Sequence, residues 1–526
     1  MLRPLDLTLE RLARAPLLLW LCASGLGAAC SSSPEVPPAG DAGAMDAAAA
    51  DEDAARAEDA DANPAADAST DAGAGEDVVT PDTGELTAPL HLPREPQRPG
   101  DAARGYRALL DEGYVGCGVP YSAYRTATGP APASRRLPGR NAANATLPYN
   151  QTRFTTTSSV EVVTPNCLTC HASVLDDQVV IGLGNAGADF TNDPSATADL
   201  VGFLLTDPAE IAEWQKWAGR IRATSPFIQM PVLGANPADN LAAALFAHRD
   251  RTTLAWSDTP LLELPPTAAV PVDVPAWWTL SRKSSMFYVG GGRGDHARIM
   301  MTASTLCVDT VAEAEAIDAY FPDVRAYLES LTPPPWPFAV DAALADRGRV
   351  VFEATCARCH GTYGDTPSYP DLVIPLADVG TDAALAAGSA QYAARFTDWF
   401  NGSWYGQRGR LEPQAGYIPP PLVGVWATAP YLHNGSVPTI AALLDSRQRP
   451  AYWTRTFGTR HSDYDAAALG WQTTVVDHGH AGEPDRARRV RLYDTTLPGY
   501  GNGGHTYGDA LSEGERSAVL EYLKTL

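Results

Sequence analysis

Two short segments carry the same arrangement of metal-competent side chains: Cys167-Leu-Thr-Cys170-His171 and Cys356-Ala-Arg-Cys359-His360. The spacing has a mechanical reason. Two thiols add to the two vinyl groups of one heme, and the next histidine is carried under the iron as proximal ligand. A chain with only eight Cys and ten His shows this pattern twice, once in each half, which makes coincidence a poor account. A zinc site would need a second ligand pair at suitable spacing, and a thioredoxin-like redox pair would need a βαβ context. The expectation is therefore two covalently bound c-type hemes, with His171 and His360 as proximal iron ligands.

The sixth position of each iron decides what such a group can do. A strong ligand there gives electron transfer, and an open position permits O2 or peroxide chemistry. For the heme on His360, His505 is the first candidate and His433 the second. The glycines around His505 let the backbone approach a macrocycle, and the segment after Cys356 contains no Met. The heme on His171 is followed by the longest stretch before the next helical repeat, 172–307, whose loops could roof a cavity. Trp278, Phe287 and His296 are the candidate distal residues there, with Met300, Met301, Met230 and His248 as further ligand candidates. An apolar wall of Trp278 or Phe287 suits a hydrocarbon substrate, whereas His296 over the iron suits peroxide or a closed electron-transfer site. Trp277 belongs either beside the hemes or in plain packing. His461, His478 and His480 lie in a polar stretch and read as solvated. Cys117 and Cys307 either pair in an oxidising compartment or stay as separate buried thiols.

These groups must be positioned by a body that repeats itself. The pattern at 316–331 ends on Ala-Tyr-Leu-Glu-Ser-Leu, and the helix following Ser512 ends on Glu-Tyr-Leu-Lys-Thr-Leu. Ser512 and Glu515 form a capping-box pattern. Arg104-Gly105-Tyr106 and Arg347-Gly348-Arg349 open the two halves alike. The division falls at the proline run 333–337, giving an N-terminal cytochrome c-like heme domain at 89–335 and a C-terminal one at 336–526. Short strands are expected at 160–163 and 179–183. The fold class expected is mainly α with long ordered loops, since 44 Pro and 45 Gly interrupt long elements.

The first 88 residues read differently. Arg3, Arg11 and Arg14 precede a short apolar run that continues to Cys30, which reads as an export signal at 1–30. Leu26-Gly-Ala-Ala-Cys30 resembles a lipoprotein cleavage box, with Cys30 lipidated and the protein held at the outer membrane by its lipid. Residues 31–88, rich in Ala, Asp and Pro, are expected to form a disordered acidic tether. The net charge is −23, and the acidic balance excludes a nucleic-acid partner.

Taken together, several phrases resemble the di-heme cytochrome c peroxidase superfamily, and within it the branch containing the bacterial rubber oxygenases. They are Tyr114-Val-Gly-Cys117-Gly-Val-Pro120, Gly139-Arg-Asn141, Val163-Thr-Pro-Asn-Cys-Leu-Thr-Cys-His171, the run 333–338, Ala429-Pro-Tyr-Leu-His-Asn-Gly-Ser-Val-Pro438 and Gly501-Asn-Gly-Gly-His505. The resemblance covers about residues 100–526. It implies two packed cytochrome c-like domains, the N-terminal heme reactive and the C-terminal one six-coordinate and passing electrons. It also implies O2 or H2O2 as oxidant, a redox partner or small electron donor, and an isoprenoid-like substrate for the oxygenase branch.

Overall fold

The computed structural model describes residues 88–391 and 393–526; the expected signal, Cys30 and nearly all of the acidic tether lie outside the described residues. Each half is bracketed by a pair of helices that cross at a glycine. Asp101 caps Ala102–Asp111 by accepting from the Arg104 N–H at 2.8 Å. This helix packs on Phe321–Glu329. They meet at Gly105, where a Cβ would lie 1.9 Å from the Asp323 carbonyl oxygen. In the second half Ala342–Thr355 crosses Glu513–Leu523 at Gly348, where a Cβ would lie 1.8 Å from the Ala518 carbonyl oxygen. Only a residue without a side chain allows backbones this close. Ser512 and Glu515 form both bonds of a capping box.

The helical pattern read at 316–331 divides in two. Val311–Asp318, with its own capping box from Thr310 and Glu313, is separate from Phe321–Glu329. Pro322 occupies the first turn of the second helix, because a proline has no N–H to continue the preceding one.

The described residues mix helix with fifteen short strands arranged in sheets of two or three. This is more sheet than the sequence announces. Many of the strands are two or three residues long, too short for alternation to show, and their partners are remote in sequence. Leu372–Pro375, for example, lies between Leu90–His91 and Gly416–Tyr417. The two stretches expected as strands form at Glu161–Pro165 and Gln178–Ile181.

Residues 88–526 fall in one compact unit. Its two largest cores exchange side chains across the proline run. Phe396, Trp399, Phe400, Trp404 and Tyr405 join the core of the first half, and Leu175, Leu183, Ala276 and Trp278 join that of the second. Two strand pairs also cross the division: Leu90–His91 with Leu372–Pro375, and Gly292–Gly294 with Gly409–Leu411. Glu95 accepts from both terminal nitrogens of Arg410 at 2.7 Å, tying the start of the described chain to the second of these pairs. Among the described residues no helix is long and apolar enough to cross a membrane.

Cys117 and Cys307 are joined as a disulfide, fully buried, with Cα atoms 5.5 Å apart and a separation of 190 positions in sequence. Close by, the buried Arg249 donates to the carbonyls of Leu254, Thr305, Leu306 and Val308, and pairs with Asp309. The bridge closes a long loop, so its removal frees the unfolded chain. Cys117→Ser with Cys307→Ser is expected to cost about 2–5 kcal/mol, read as a lower urea midpoint for the unreduced double variant. A midpoint equal to that of the unsubstituted protein would mean the bridge carries no stability.

Candidate heme-attachment sites

Cys167 to His171 occupy one helical turn, Leu168–His171, held from several sides. The Cys167 N–H donates to the Tyr114 hydroxyl at 2.9 Å, and the Leu168 N–H to Asn166 Oδ1 at 2.9 Å. The Asn185 N–H donates to the Cys170 carbonyl at 2.8 Å, and its side-chain amide to the Thr169 carbonyl at 2.9 Å. The Asn236 amide lies 3.3 Å from the Cys170 sulfur. The His171 ring stacks on Trp277, with centroids 4.4 Å apart and planes 15° from parallel. Burial lowers His171 to about 4, opposed only in part by the Pro275 backbone. The imidazole is therefore neutral, as an iron ligand must be.

The second motif follows directly on Ala342–Thr355. His360 ends the short turn Ala357–His360, and the chain leaves through Gly361 at φ 80°, where a Cβ would lie 2.1 Å from the Ser368 carbonyl oxygen. His360 Nδ1 donates to the Pro420 carbonyl at 2.8 Å, which fixes the tautomer and leaves Nε2 bare for a metal.

All four motif thiols are free and pushed up by burial, Cys167 to about 11 and Cys356 to about 12. A dithiol redox centre needs the opposite, a thiol of lowered pKa. Among the described residues no three His, Cys, Asp or Glu gather as a bare metal site.

The His505 ring lies opposite His360, with ring centroids 6.1 Å apart and planes at 64°. Two iron–nitrogen bonds of about 2 Å, plus about 1 Å from each nitrogen to its ring centre, give roughly 6 Å. Both rings are partly buried, and burial is the main cause lowering each: His360 downward and His505 to about 3, the latter also through its neighbours His360 and Arg449. His505 Nδ1 has no hydrogen-bond partner. A pair of partly buried neutral imidazoles at this spacing fits an iron between them.

His433 is elsewhere. It stacks on Tyr417 at 4.1 Å, meets Tyr288 edge-on at 6.4 Å, and its carbonyl accepts from the Asp273 N–H at 2.7 Å. The Tyr288 hydroxyl donates to Asp273 at 2.9 Å, and burial pushes that carboxyl up to about 7.

The first-half candidates are dispersed. Trp278, unlike its neighbour Trp277, belongs to the second core and donates its indole N–H to the Val423 carbonyl at 2.8 Å. Phe287 is 40% exposed, at φ 67°. His296 is buried with Nε2 3.3 Å from the Ser284 carbonyl, and burial lowers it to about 4. His248 donates to the Ser257 carbonyl at 2.8 Å and stacks on Trp256. Met301 is core, Met300 packs on that core, and Met230 lies in a separate cluster with Trp453 and Tyr493. His461 and His478 are partly exposed beside Asp176 and Asp477, and His480 faces the Leu492 carbonyl.

Sequence reading missed a repeated loop. Met286 bridges Gly292, and Tyr431 bridges Val437. In each loop the second residue has positive φ (Phe287 67°, Leu432 69°), and so does the fifth, a glycine (Gly290 63°, Gly435 72°). The third residues, Tyr288 and His433, are the two rings that meet. The available signal was faint: Met-Phe-Tyr-Val-Gly against Tyr-Leu-His-Asn-Gly.

The family model described as "RoxA-like, cytochrome c-like" matches residues 416–454, a stretch that holds the His433 loop and neither attachment motif. The chain is also 30% identical over 331 residues to the uncharacterized protein y4iM of Sinorhizobium fredii (strain NBRC 101917 / NGR234), covering 54% of this chain and 71% of that protein. The chain belongs to the same family as that protein. A second protein of the same organism, the uncharacterized y4iJ, is 30% identical over 292 residues, covering 43% of this chain and 46% of its own length. The cytochrome c-like match implies a heme cofactor and a RoxA-like redox protein; neither relative's name says what it acts on.

Proposed function

We propose that this chain is an exported di-heme redox enzyme, with O2 or peroxide chemistry at the heme on His171 and electron transfer at the heme on His360. The observation that carries the reading is the 6.1 Å pairing of the His360 and His505 rings. A heme joined through Cys356 and Cys359 would be held by His360 and His505 together, and would supply one-electron transfer there.

Around His171 the chain does something different. Trp277 covers one face of the imidazole, and Asn166, Asn185 and Tyr114 hold the turn that carries it. His248 and His296 are engaged with the Ser257 and Ser284 carbonyls, which favours an open sixth position there. The resemblance of the sequence phrases to the rubber-oxygenase branch is the basis for a hydrophobic, isoprenoid-like molecule as the substrate class. The buried disulfide supports an oxidising compartment outside the cytoplasm, in keeping with a lipid anchor at Cys30.

His505→Ala is expected to convert the heme on His360 from low to high spin in its absorption and electron paramagnetic resonance spectra, while His433→Ala leaves it low spin. Carbon monoxide added to the reduced unsubstituted protein is expected to bind rapidly at one heme only, that on His171. The reverse histidine result would make His433 the ligand. Two irons inert to carbon monoxide would leave an electron carrier.

A further inference from the structure

The segment bearing His505 is held in a conformation it would not adopt unaided. His505 has φ 47° and Gly504 φ 68°, both left-handed. A Cβ on Gly504 would lie 2.1 Å from the Gly380 carbonyl carbon, so the approach requires glycine there. For a histidine the left-handed region is disfavoured and persists only where the surroundings impose it. One restraint is the His505 N–H, which donates to the Val379 carbonyl at 2.6 Å. Asn502 donates to the Pro450 carbonyl at 2.9 Å, and several more restraints come from a single side chain.

Arg449 spends all five of its N–H donors on backbone carbonyls. Nε donates to Ala442 at 3.1 Å, and one terminal nitrogen to Asn502 at 2.8 Å and Gly504 at 2.6 Å. The other donates to Leu443 at 3.1 Å and to His505 itself at 3.0 Å. Ala442 and Leu443 belong to Ile440–Leu444, a short helix whose Ile440, Ala442 and Leu444 are buried in the second core. Their carbonyls lie at the end of that helix, where the helix itself offers no partner. The guanidinium thus joins a helix end anchored in the core to three of the four residues 502–505. Its acidic neighbours are otherwise occupied: Asp445 pairs with Arg447, and Asp509 accepts from Ser446. A planar fork with five fixed donors suits this geometry, and a lysine, a single point charge, does not.

We propose that Arg449 is the positioning residue of the second heme site, holding the His505 backbone in the left-handed turn that aims its ring at His360. The proposal rests on His505 being the second axial ligand. Arg449 acts through the backbone of the ligand rather than at the metal.

The test uses the full heme-loaded protein with Arg449→Gln, Arg449→Lys and, as control, Arg447→Gln on the exposed neighbour. The readouts are the spin state of the heme on His360 and its affinity for carbon monoxide. In Arg449→Gln a high-spin fraction is expected, with carbon monoxide affinity at that iron raised by roughly 10–100-fold, the usual scale for loss of an outer-shell partner. Arg449→Lys, which keeps charge and stem, is expected to shift the same way to a smaller extent, and Arg447→Gln not at all. An Arg449→Lys protein with unaltered spectrum and affinity overturns the proposal, whether Arg449→Gln is unaltered or fails to fold. Low spin retained in His505→Ala overturns the ligand assignment beneath it, an outcome that the Arg449 variants do not produce.

Discussion

A variant with Cys356→Ala and Cys359→Ala will retain one heme, and its mass will show the loss of the other. The two motifs are held by different neighbours: the first by Tyr114, Asn166, Asn185 and Asn236, the second by the end of Ala342–Thr355 and the Pro420 carbonyl. Loss of one set of thioether bonds therefore leaves the other intact. The spectral signature should change in a directed way. With the His360 site empty, the bis-imidazole low-spin signal disappears and the carbon-monoxide-reactive heme on His171 remains. The mirror variant, Cys167→Ala with Cys170→Ala, should keep the low-spin signal and lose carbon monoxide binding. Intact mass showing no heme on the unsubstituted chain would remove the basis of both expectations.

Trp399→Ala will destabilise the protein by about 3–5 kcal/mol, the usual cost of deleting a buried tryptophan side chain. Trp399 is 3% exposed, stacks on Phe246 at 4.4 Å, and donates its indole N–H to the Arg249 carbonyl at 2.7 Å. Phe246 and Arg249 belong to the first half, and Trp399 comes from the second. Deletion leaves both a cavity and an unpaired carbonyl. Trp399→Phe should restore much of the loss, since it refills the stack and lacks only the hydrogen bond. Urea denaturation measures both, and a cost below about 1 kcal/mol for the alanine variant would mean that Ala394–Gly402 does not support the first core.

How far this could be read beforehand depends on the range of each interaction. The attachment motifs and the capping box at Ser512 are local patterns, visible because spacing along the chain sets them. The glycines at 105 and 348 were visible as matching phrases, yet their reason, contact with a helix about two hundred residues further along in the first half's case and at the chain end in the second's, was not. The pairing of His360 with His505 could be nominated from flanking glycines. The clamp at Arg449 could not, since nothing in its own surroundings marks an arginine that binds only carbonyls. Trp278 shows the limit most plainly: adjacent to Trp277 in sequence, it enters the opposite core, because successive residues of a tight helical turn point in different directions. The strand pairs across the halves were illegible for a related reason, being two or three residues long with distant partners.

The exchange of aromatic side chains between the halves means that the first core is complete only once the second half has folded onto it. A chain synthesised from its N-terminus presents Cys167, Cys170 and His171 well before Phe396, Trp399 and Tyr405 exist to close the core around them. In the folded chain Cys167 packs against that core, and burial pushes both thiols up. Until the second half folds onto the first, the same thiols stand on an unfinished surface. The second half then serves the first as a late-arriving closure.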